Sequence, residues 1–169
     1  MRPLRFVSWG VLLATIAFSV AVYDDLPVRI PMHLGFGGQP GNFQPRELWS
    51  WFLLPASALL VQVLLTAIAA MLPTRPHLFN FPEKDRFLAL PKERQAPVIR
   101  EMVVMMDATA IGIQALMLLV VLQLWEAANG IRSTFGFLAV PISALLLTPV
   151  ILLLVARVSA AVKREETRR

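Results

Sequence analysis

The sequence predicts an all-α integral membrane protein, a single four-helix bundle with both termini on the cytoplasmic side. Three observations predict it. Apolar residues make up 57% of the 169 and charged residues only 16%, with a mean hydropathy of +0.65; an ordinary soluble chain has roughly 45–50% and about 25%. The charges fall into blocks separated by four long apolar runs. Thirteen of the 16 Lys and Arg residues lie in the N-terminal flank, the second loop and the tail. This composition excludes a disordered chain, a coiled coil and a typical cytosolic enzyme. The absence of cysteine removes disulfides and thiolate chemistry.

The first run, Phe6–Tyr23, carries no charge over 18 residues. Arg2 and Arg5 before it, with Ser19 and Ala21 near its end, resemble a cleavable signal peptide. Its apolar length exceeds the usual 7–15 residues, which predicts an uncleaved anchor. The second run, Leu48–Leu72, is 25 residues without charge; the third, Met102–Trp125, holds one ionisable residue, Asp107; the fourth, Ser133–Ala156, ends against Arg157. Crossing ~30 Å of hydrocarbon at 1.5 Å per residue takes ~20 residues, and lipid leaves backbone amides no partner outside a helix. Four transmembrane helices follow.

Positively charged residues are retained on the cytoplasmic side. The flank with Arg2 and Arg5, the loop 73–101 and the tail after residue 157 are therefore expected inside. The loops 24–47 and 126–132, with only Arg29, Arg46 and Arg132, are expected outside. Trp9 at one end of the first span, and Tyr23, Trp49, Trp51 and Trp125 at the others, suit interfacial depth.

The loop 24–47 is the most distinctive stretch. Pro27 and Pro31 fix φ and extend the residues before them, while Gly35, Gly37, Gly38 and Gly41 open turns closed to other residues. An ordered loop folded back on the helix ends is expected, burying Ile30, Met32 and Phe36. Leu26-Pro27, then Ile30-Pro31, then His33 and the Gly38-Gln39-Pro40 triplet, placed between two spans, resemble the bacterial domain of unknown function at the N-terminus of SdpI-like immunity proteins. Phe79-Asn80-Phe81-Pro82-Glu83-Lys84 and Leu88-Ala89-Leu90 in the second loop are similar to a segment of its small stand-alone members. Leu34-Gly35 replaces the usual Phe-Asn, and Gly41 the usual Asp. The resemblance implies a membrane protein that protects against a secreted toxin or relays its presence.

His33 has two readings. As a functional residue it titrates near neutral pH, meets an external ligand, or binds a metal with Asp24 and Asp25. As a structural residue its ring nitrogens bond backbone groups and shape the loop together with Pro27, Pro31, Gly38 and Pro40. The outer loops offer no second histidine or cysteine, so no metal site and no cofactor is expected.

Asp107 lies about 7 Å inside the bilayer if its helix enters at Met102. An unpaired carboxylate there costs several kcal/mol. Arg157 at the end of the fourth span is the expected partner, with Gln114 on the same face and Gln62 facing inward; an ion or proton pathway is the alternative. Gly10/Ala14 and Ala108/Gly112 allow close helix approach, and Pro55, Pro141 and Pro149 fall inside spans. In the second loop Asn80 reads as a helix cap with Pro82 in the first turn. Lys84 and the mixture of Phe87, Leu88 and Leu90 with charges predict a short interfacial helix, either a membrane-lying strut or a docking face for a protein partner. The tail is a topology anchor near anionic lipid. Nucleic-acid binding is not expected, since membrane orientation accounts for the basic excess.

No nucleophile triad, phosphate loop, dinucleotide motif or HExxH is present. The expected function is non-enzymatic: a sensing or protective module of the bacterial inner membrane, with an accessory subunit of a larger complex and a small ion- or proton-coupled transporter as alternatives.

Overall fold

The computed structural model describes residues 3–35, 39–131 and 136–168. Helix α1 (Pro3–Ala21) leads to strands β1 (Arg29–Leu34) and β2 (Pro40–Pro45). Helix α2 (Leu48–Met71) follows, then a 3₁₀ turn at Pro76–Leu78, a short α3 (Lys84–Ala89), and the long α4 (Lys92–Ala128) and α5 (Gly136–Thr167). Four of these helices are long and apolar enough to cross a membrane.

Packing within the helices is inverted relative to a soluble protein. On α1 the buried residues are Ser8, Leu12, Thr15 and Ser19, whereas Phe6, Leu13 and Val20 are exposed. On α2, Ala58 and Gln62 are buried while Leu53 and Leu60 are exposed; on α5, Leu145, Leu152 and Leu153 face outward. Small and hydroxyl side chains let backbones approach where lipid supplies no hydrophobic drive between helices. The hydroxyls are satisfied locally: Ser8 donates to the Arg5 carbonyl, Thr15 to Val11 and Ser19 to Thr15. Gly112 presses against the Leu147 side chain, so that part of the small-residue prediction marks the α4–α5 contact, whereas a Cβ at Gly10 would meet open space.

Helix α4 is the hub, packing against α1, α2, α5 and the hairpin. Two apolar clusters cap its ends. Leu26, Ile30, Trp51 and Val121 join the hairpin to the helix ends. At the opposite end, Phe87 and Leu90 pack with Leu72, Val98, Met102, Val158 and Val162.

Several boundaries differ from the sequence prediction. Within the 24–47 segment β1 and β2 pair as a two-stranded antiparallel sheet, a small addition to an otherwise helical fold. Arg29 pairs with Pro45, Pro31 with Phe43, His33 with Gly41 and Leu34 with Pro40, and the Gly35 amide donates to the Gln39 carbonyl at 2.8 Å. Asn42 sits at φ 53°, a left-handed conformation that asparagine tolerates. Helix α4 starts at Lys92 rather than near Met102. Pro91 stands just before it, and the buried stripe Val98, Met102 and Val103 carries it through Pro97. Helix α5 runs on to Thr167 because Val158, Ala161 and Val162 pack against that extension. The start of the fourth span, predicted at 133, lies outside the described residues. Asn80 caps no helix: α3 begins at Lys84, after Pro82 and a left-handed Glu83 (φ 65°). Pro55, Pro141 and Pro149 do lie within helices.

Candidate functional site

The hairpin is locked to the bundle from both sides of its chain. Arg46, just after β2, aims Nη1 at the carbonyls of Tyr23, Asp24 and Leu26 (3.3, 2.7 and 2.8 Å). Its guanidinium also lies over the Tyr23 ring, 5.6 Å from the centroid. The carbonyls it collects lie in the turn after α1, where the Tyr23 carbonyl also accepts from the Leu26 amide at 3.3 Å. The chain then enters α2 through Ser50. Its hydroxyl is held by the Pro45 carbonyl (2.9 Å) and accepts from the Glu47 amide (3.1 Å). Trp51 Nε1 donates to the Ser19 carbonyl at 2.9 Å, tying α2 to α1. Sequence reasoning missed Arg46, although an arginine between β2 and a helix start in a loop poor in charge was the available sign.

Pro31 and Ile30 turn inward on β1, while His33 is exposed and has no hydrogen bond among the described residues. Backbone pairing of β1 with β2 gives the hairpin its shape. Pro27 is half-buried and Pro40 exposed; Gly38 and Phe36 lie outside the described residues. Ile30 is buried as expected, whereas Met32 is only half-buried. Among the described residues no three His, Asp or Glu converge as a metal would need.

The second region is a polar axis between α1, α2 and α4. Asp107, whose side chain is 8% exposed, accepts from Arg5 Nε at 3.1 Å. This corrects the expected Asp107–Arg157 pair. Arg157 instead meets Glu101 at 2.9 Å. The reason is register: α4 and α5 run antiparallel past the predicted helix ends, so Arg157 lies level with Glu101, six residues and about 9 Å from Asp107 along the axis. Arg5, counted in the sequence as a flank charge, is drawn in by the extension of α1 to Pro3. Next along the axis, Gln62 Nε2 donates to Ser8 Oγ at 3.0 Å and Gln114 Nε2 to the Ala58 carbonyl at 3.0 Å. Both glutamines face inward as predicted, but Gln62 Oε1, Gln114 Oε1 and Arg5 Nη2 are buried without hydrogen-bond partners among the described residues.

The opposite end is a charged collar. Glu83 meets Arg86 and Lys163 (3.3 and 3.7 Å), and Arg86 also reaches Glu166 (3.9 Å). Asn80 and Pro82 are exposed and Lys84 half-buried, all three away from the Asp107 axis.

No curated protein and no solved structure matches the chain. Residues 10–59, which comprise most of α1, the hairpin and the first half of α2, match the family model of a domain of unknown function (DUF1648).

Proposed function

We propose that this chain is a non-enzymatic protein of the bacterial cytoplasmic membrane, inserted with both termini and α3 inside, and that its external hairpin meets an envelope ligand as a sensing or protective module of SdpI-like type. The distribution of Lys and Arg supports the orientation. The observation that carries the reading is the hairpin itself, a pinned platform presenting an exposed His33 to the surroundings. A platform clamped this firmly pre-pays the ordering cost of binding. Helix α4 runs without a break from the hairpin cluster to the apolar cluster at the other end, which joins the two ends of the bundle through one element.

Two experiments test this. The chain has no cysteine, so single Val28→Cys and His77→Cys variants, both at exposed positions, report topology with an impermeant maleimide on intact cells. Labelling of the first alone is expected, and labelling of the second alone overturns the orientation. Deletion is expected to raise sensitivity to a secreted peptide toxin, with rescue by the wild type and not by His33→Ala at equal abundance. Full rescue by His33→Ala removes the role assigned to the imidazole.

A further inference from the structure

A cleft of about 870 Å³ opens between the start of α1, the connection after α2 and the first half of α4. The α4 residues lining it recur at intervals of three and four from Lys92 to Asp107, a single stripe along one helix face. The chemistry of that stripe changes along its length. Lys92, Gln95, Ile99 and Arg100 line the part before the apolar run that starts at Met102, and Val103 and Val104 form an apolar wall within it. Leu4 faces them from α1. The stripe ends at Asp107, the one acid lining the cleft among the described residues, whose charge is met by Arg5. Lys92 and Arg100 are both exposed and neither has a carboxylate within ion-pair distance among the described residues.

We propose that this cleft binds an anionic phospholipid, with the phosphate head at Arg100, Lys92 about 12 Å further out along the helix reaching back toward it, and the start of its acyl chains against Val103 and Val104. Two unneutralised cations select the sign of the head. The apolar continuation below them selects an amphiphile over a soluble anion, because the lower half of the cleft lies level with the apolar part of α4 and the upper half beyond it. With either insertion direction its mouth stands at a leaflet surface, where a phosphate head resides.

The test uses the full chain purified in detergent and titrated with phosphatidylglycerol or phosphatidylcholine, with retained lipid counted by native mass spectrometry. Wild type is expected to retain phosphatidylglycerol in preference. Lys92→Gln/Arg100→Gln is expected to weaken that retention about thirty-fold, from two surface charges. Lys84→Gln/Arg164→Gln removes the same charge at the same end but outside the cleft, and is expected to keep it. All four positions are outside the buried core, so folding is preserved. Equal retention of the two lipids, or equal loss in both double variants, overturns the proposal. Displacement of phosphatidylglycerol by millimolar inorganic phosphate also overturns it, in favour of a free-anion site.

Discussion

The Arg5–Asp107 pair gives the sharpest energetic test. With an effective dielectric of about 20, charges 3.1 Å apart attract by about 5 kcal/mol before desolvation is charged against them. Removing one partner of a buried pair costs about 3–5 kcal/mol, mostly from the charge left behind. Asp107 borders the cleft and has some access to water, so Arg5→Met is expected at the lower end, about 3 kcal/mol. Arg5 is 23% exposed and near the start of α1, so it can reach water when orphaned; Asp107→Leu is expected to cost only about 1 kcal/mol. With both charges gone, Arg5→Met/Asp107→Leu should return to within about 1 kcal/mol of wild type, a coupling of about 3 kcal/mol. Reversible unfolding in mixed micelles measures all four corners of the cycle. Arg157→Gln run against Asp107→Leu serves as the control and should couple by less than about 0.5 kcal/mol. Additive costs for Arg5 and Asp107, or coupling to Arg157 instead, would refute the assigned register of α1 on α4.

Other expectations follow from the packing. Gly112→Leu places atoms where the Leu147 side chain already sits and should lower stability by about 1–3 kcal/mol, whereas Gly10→Ala should cost nothing; thermal unfolding of the detergent-solubilised variants separates them. Gln114→Leu loses one interhelical bond worth about 0.6 kcal/mol but also removes an unpartnered buried oxygen, so stability should hold or rise. A loss above about 2 kcal/mol would place an ordered bridging water on Gln114 Oε1. Arg46→Ala withdraws the donor shared by three carbonyls and should raise amide exchange across β1 and β2 by about thirty-fold, a local loss of about 2 kcal/mol. Unchanged protection would show that the Leu26–Ile30–Trp51–Val121 cluster alone holds the hairpin.

The spans were legible because length and absence of charge are direct consequences of bilayer thickness. Asp107, Gln62 and Gln114 were legible as inward groups because a polar side chain facing lipid is expensive. Their partners were not. Pairing depends on the register between helices far apart in sequence, and the register turned on α4 starting ten residues early, under a stretch whose Pro91, Pro97 and charges look like loop. Exposed charge on one side of that segment concealed the buried stripe Val98–Met102–Val103 on the other. The hairpin was hidden for a different reason. Pro40-Gly41-Asn42-Phe43-Gln44-Pro45 has little strand propensity, and its conformation comes from Ile30 and Leu26 packing on α4 and from the Arg46 clamp.

The burial of hydroxyls and amides has a consequence for biogenesis. Helices α1 and α2 leave the ribosome well before α4, and the 35 residues between Met71 and Asp107 take roughly 2–7 s to synthesise. During that interval Arg5 lacks the carboxylate of Asp107, whereas Gln62 already reaches Ser8 on α1 and Thr66 on α2. The early hairpin pair is thus a metastable guest in the lipid, and arrival of α4 is the event that commits it. Truncations ending before residue 107 should be degraded quickly, and those ending after Trp125 should persist.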